Sequence, residues 1–148
     1  MASNFSVAMK ALAVEFEKTT AHHVVLSFGS TGKHYAQIKN GAPFDVFLAA
    51  DAARPALLEN QGIANAGSRT TYARGKLVLW TSKPDVNDVQ DILLNSQDVR
   101  HLALANPKLS PYGMAAQQAM VELNVWPKLQ AKIVRGENIA QTFQFVHS

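Results

Sequence analysis

Three short segments place hydroxyl side chains where helices are expected to begin: Ser3 with Asn4, Ser30-Thr31-Gly32, and Ser110-Pro111-Tyr112-Gly113. Neutral donors at helix N-termini suit an oxyanion, because they add hydrogen bonds and a partial positive charge without a mobile lysine. The same residue types also serve as ordinary helix caps and turn formers, which is their commoner use. Tyr112 stands apart, since between Pro111 and Gly113 at a helix start its phenol can reach into a cleft.

Other chemistries find less support. GSTGK at 29–33 is not a phosphate-binding Walker loop: position 27 is Ser27 where glycine is required, and His34 follows Lys33 in place of Ser or Thr. Lys33 is expected on a solvated helix face. His22, His23, His34, His101 and His147 show no metal-ligand spacing and are expected at the surface or at strand edges. No GxSxG segment offers a nucleophile. Asp45 and Asp51 fit a strand start and a helix cap better than a catalytic carboxylate pair. Trp80, Trp126, Tyr35 and Tyr72 do not alternate with basic residues, so they read as packing and not as a base-stacking platform.

The elements that would position these groups alternate between strand and helix. Phe5, Met9, Leu12 and Phe16 recur at helical spacing from about residue 4, with Ser3 or Asn4 as the cap. A strand ending at Phe28 leads through the turn at 29–32 into a helix bearing Tyr35 and Ile38. Phe44 to Ala49 reads as a buried strand, followed by a helix that Asp51 caps and Leu57 and Leu58 face inward. Lys76 to Thr81 is the next strand, and 84–94 is helical, with Val86, Val89 and Leu93 on one side. Residues 101–105 form a strand, a long helix opens at Pro111 and reaches about Leu123, and Lys132 to Val134 is a final strand. Asn138 and Gln141 have capping-box spacing ahead of Phe143 and Val146. Such alternation signifies an α/β protein with mostly parallel strands covered by helices.

Composition agrees with this. The 148 residues are 47% hydrophobic and 17% charged, enough for a sizeable core. With no cysteine, disulfides and thiolate-ligated metals are excluded. Fourteen basic and eleven acidic residues, spread over both halves, give a mixed surface that does not suggest nucleic-acid binding. No stretch approaches the roughly 20 apolar residues of a membrane span, and the first residues do not resemble an export signal.

The segments ASNF (2–5), SFGSTGKHYAQIKNGAPFDVFLAAD (27–51), GSRTTYARGKLVLW (67–80) and NPKLSPYGMAAQQAM (106–120) resemble the periplasmic molybdate-binding proteins of ABC importers. The resemblance implies a type II periplasmic-binding-protein fold of two α/β lobes, here 1–75 and 76–148. Relative to the family, it also implies that the first strand and the C-terminal third are missing. It implies a non-enzymatic binder of molybdate or tungstate, with no cofactor and an importer permease as partner. Ser3 and Asn4, Ser30 and Thr31, the Tyr112 hydroxyl and the Ile139 backbone would hold the anion. Location would be periplasmic by resemblance, or cytoplasmic if these residues are the full gene product. Unpaired sheet edges would favour a homo-oligomer. The competing expectation is a structural or interaction fragment that has lost the anion and persists as a strand-completed oligomer.

Overall fold

The computed structural model describes residues 1–82, 89–95, 97 and 99–147. The chain divides into two compact units, Met1–Thr71 and Tyr72–Ser148.

In the first unit, Met1 to Ser3 lie between two other segments. Gly29 N–H donates to Met1 O at 3.0 Å and Ser3 N–H to Gly29 O at 3.0 Å, which makes a parallel bridge between Ala2 and Gly29. On the other side Ala2 N–H donates to Leu48 O at 2.9 Å. A single 3-10 turn, Ser3–Phe5, then leads into helix α1, Ser6–Thr19. The expected side-chain cap is not formed, because the extra turn moves the helix start past Ser3 and Asn4 and leaves Phe5 at the cap position. Only Ala13 of α1 is buried, while Leu12 and Phe16 of the expected apolar face are exposed.

Helix α2, Thr31–Lys39, is capped as expected: Lys33 N–H donates to Ser30 Oγ at 3.3 Å. Lys33 itself is exposed. Helix α3, Ala53–Asn60, takes its cap from Asp51, whose Oδ1 accepts the Arg54 N–H at 2.9 Å while Oδ2 pairs with the Arg54 guanidinium.

Three of the expected strands are not formed. Among the described residues, 22–28, 44–49 and 76–81 belong to no sheet, and the Ala2–Gly29 bridge is the strand pairing of the first unit. A strand needs a neighbour along its length, whereas Met1 to Ser3 reach Ser27, Gly29 and Leu48 at isolated points. Val25, Val46 and Val78 stay 85%, 73% and 78% exposed.

The second unit carries the sheet. Strand β1, Leu102–Ala105, pairs in parallel with β2, Ile133–Gly136, in the register Leu102–Ile133 to Ala105–Gly136. Helix α4, Val89–Leu94, is the described part of the expected 84–94 helix, and residues 84–88 lie outside the described residues. Helix α5, Pro111–Glu122, starts with proline at N1, where the missing N–H costs nothing. It ends at Asn124, whose positive φ of 56° turns the chain into α6, Trp126–Leu129. Leu93, Leu104, Met120, Val125 and Leu129 form the core, with Trp126 and Ile133 packed against it. Helix α7, Ile139–His147, closes the unit, and Phe143 on it stacks on Trp80 with ring centroids 4.9 Å apart.

Candidate functional site

Parallel pairing that feeds helices brings helix N-termini to one carboxyl edge, through β1 and β2 in the second unit and through a single bridge in the first. In the first, the bridge between Ala2 and Gly29 places Ser3 and Ser30 just beyond it on adjacent segments. Ser3, Ser30 and Thr31 are buried, at 8%, 3% and 1% exposure, whereas Asn4 is exposed. Thr31 Oγ1 accepts the Ala50 N–H at 3.1 Å and Ser30 Oγ accepts from Lys33 N–H. A hydroxyl that accepts from the backbone keeps its own proton to donate. The Ser30 cap serves Lys33, so helix geometry leaves the Thr31 and Gly32 N–H groups without an intrahelical acceptor.

His34 lies behind this loop. It was expected at the surface or at a strand edge, yet it is 3% exposed. Its Nε2 lies 3.0 Å from the Ser27 carbonyl, its ring stacks on Phe44 at 5.7 Å, and its Nδ1 is buried without a partner. A side chain on Gly29 would reach within 2.9 Å of the imidazole, so the bare α-carbon there admits the ring. Because a carbonyl only accepts, Nε2 carries the hydrogen. Burial holds its pKa below the ordinary 6.5 against the opposing pull of the Ser27 hydrogen bond, and the charges of the Met1 amine and Lys33 lower it further.

In the second unit, Asn106 N–H donates to Gly136 O at 2.8 Å and joins the ends of β1 and β2. Two glycines let the helices sit directly on those ends. A Cβ on Gly113 would lie 1.9 Å from Ala105 O, and one on Gly136 would lie 2.6 Å from Thr142 Oγ1. Tyr112 is therefore at the second position of α5 and Ile139 at the first of α7, on the same strand edge. The cap half of the expected box forms, with Asn138 Oδ1 accepting the Gln141 N–H at 3.1 Å, while Gln141 Oε1 accepts the N–H of Glu137, one residue before the cap, at 2.7 Å. Ser110 is buried but makes no side-chain cap bond. The Tyr112 hydroxyl lies against Gly75, and burial together with the Tyr112 phenol pushes the Tyr72 pKa up. Sequence reasoning singled out neither Gly75 nor Ala50, since nothing in the neighbouring residues signals those contacts.

Strand ends that feed helix N-termini set with neutral hydroxyls are also where α/β folds place small ligands. Residues 1–148 match the family model described as bacterial extracellular solute-binding protein, and the chain belongs to that family. It is 51% identical over 146 residues to the molybdate-binding protein ModA of Azotobacter vinelandii, covering 99% of this chain and 58% of the relative. To the molybdate-binding protein ModA of Rhodobacter capsulatus it is 43% identical over 145 residues, covering 98% and 57%. The solved periplasmic molybdate-binding protein of Azotobacter vinelandii superposes with a TM-score of 0.91 at 46% identity, covering 98% of this chain and 64% of that one. The α/β fold expected from the residues and their resemblance is thus the observed one. The chain spans a little under three fifths of the length of these two curated relatives.

Proposed function

We propose that this chain is the anion-holding part of a periplasmic receptor that delivers molybdate or tungstate to an ABC permease, and that it binds without catalysing a reaction. Ser30 and Thr31 carry the proposal. They are buried hydroxyls at the N-terminus of the nine-residue helix α2, and each already accepts a backbone N–H, so its proton is left for an acceptor oxygen. Ser3 and Asn4, the Tyr112 hydroxyl and the Ile139 backbone N–H complete the proposed donor set.

A donor set without cations stabilises a dianion through fixed dipoles, and selection follows from cavity size and donor placement. Hydrogen phosphate brings an O–H that needs an acceptor, and hydroxyls turned toward the anion as donors serve that need poorly. Isothermal titration with molybdate, tungstate, sulfate and phosphate tests this. Strong binding of the first two with weak sulfate and phosphate binding is expected, and no heat from the folded protein with any of them would overturn it.

The reading also includes self-association. The segments 22–28, 44–49 and 76–81 belong to no sheet and leave Val25, Val46 and Val78 exposed, and a second copy would cover them. Light scattering during size exclusion is expected to give a dimer or larger species, and a clean monomer would overturn this part.

A further inference from the structure

We propose that Gly75 is a positioning residue for the anion site: its missing side chain leaves the space that the Tyr112 hydroxyl occupies. This rests on the molybdate reading above. A Cβ at position 75 would lie 2.1 Å from Tyr112 Oη, 3.1 Å from Cζ and 3.8 Å from Cε1. Gly41, Gly62 and Gly67 have φ of 83°, 68° and 74°, where glycine is favoured for its backbone freedom. Gly75 is not among the positive-φ glycines, so space and not conformation is what glycine supplies there.

The phenol cannot escape by moving its helix. Pro111 fixes φ at the first position of α5, and Gly113 is pressed onto the Ala105 carbonyl, so the backbone on both sides of Tyr112 is held. A methyl group at 75 would therefore act through the Tyr112 side-chain torsions and swing the hydroxyl away. The conflict is concentrated at one atom, because without Oη the nearest approach becomes 3.1 Å, tight but within reach of a small adjustment. The raised pKa of Tyr72, to which the Tyr112 phenol contributes, is consistent with a phenol held close to the 72–75 segment.

The test is a double-mutant cycle on the 148-residue chain: wild type, Gly75→Ala, Tyr112→Phe and the double variant, each titrated with molybdate and melted thermally. Tyr112→Phe is expected to weaken binding by about 10- to 100-fold, the usual loss for a hydrogen bond to a charged group. Gly75→Ala should weaken it to a similar extent, and the double variant should bind no more weakly than Tyr112→Phe alone. Tyr112→Phe should also restore the melting temperature that Gly75→Ala lowers. Binding by Gly75→Ala within about twofold of wild type, or losses that multiply in the double variant, would overturn the role of Gly75 while leaving the receptor reading intact. A wild-type chain that binds no molybdate would remove the receptor reading and this role with it.

Discussion

Replacing Gly113 with alanine sets two effects of opposite sign against each other. Position 113 is the third residue of α5, where alanine is the better helix former by about 1 kcal/mol. The new methyl carbon, however, would lie 1.9 Å from Ala105 O and 2.7 Å from the carbon of that carbonyl, well over an ångström inside an ordinary contact. Both atoms are backbone, and the adjoining Asn106 N–H is tied to Gly136 O, so the strand end cannot yield without disturbing its pairing with β2. Overpacking of this kind costs typically 1–3 kcal/mol, and a backbone clash this deep belongs at the upper end, about 3 kcal/mol, so about 2 kcal/mol of net destabilisation remains after the helix gain. In a chain of this size that lowers the melting temperature by about 4–8 °C. Urea denaturation followed by tryptophan fluorescence is the assay, because Trp126 packs against the core that α5 and β1 share. A Gly113→Ala protein as stable as wild type, or more stable, would mean that helix propensity prevails and that α5 is not seated on the Ala105 carbonyl.

Two further outcomes follow from the first unit. Thr31→Val removes the acceptor of the Ala50 N–H at a position only 1% exposed, so stability should fall by about 1–3 kcal/mol and Ala50 amide exchange should accelerate. Unchanged Ala50 protection would show that the hydroxyl does not hold that amide. His34 has its pKa lowered in the folded state, so below the ordinary 6.5 the unfolded chain takes up a proton that the folded one resists. Its contribution is complete above that pH and is lost as pH falls toward the folded value. The urea midpoint should therefore drop between pH 7.5 and 5.5, and the slope should flatten in His34→Gln. Equal slopes in the two proteins would refute a buried neutral His34.

What could be read from the sequence was whatever depends on near neighbours. The Ser30 cap, the proline start of α5 and the Asn138–Gln141 cap each involve residues within a turn of one another, so their types and spacing reveal them. The hydroxyl-bearing segments at Ser3, Ser30–Thr31 and Tyr112 were visible for the same reason, whereas Ile139 came from the family resemblance alone. The segments 22–28, 44–49 and 76–81 have strand-like composition but form no strand among the described residues, because pairing depends on a partner that composition does not specify. The burial of His34 depends on Phe44, ten positions away, and on the bare α-carbon of Gly29. Gly75 meets Tyr112 only across a fold whose contacts lie far apart in sequence.

The insertion of Met1 to Ser3 between Gly29 and Leu48 also governs the order of folding. The Met1 amine donates to Ser27 O, 26 positions on, and Ala2 reaches Leu48 O, farther still. Each doubling of such a loop adds only about 0.6 kcal/mol of closure entropy, so the cost lies less in equilibrium than in waiting for distant residues to arrive. Helix α2 and the Ser30 cap can form while that wait lasts, because their bonds are local. Ser3 joins Ser30 and Thr31 only when the long loops shut, so the proposed donors of the first unit come together after helix α2 and not with it.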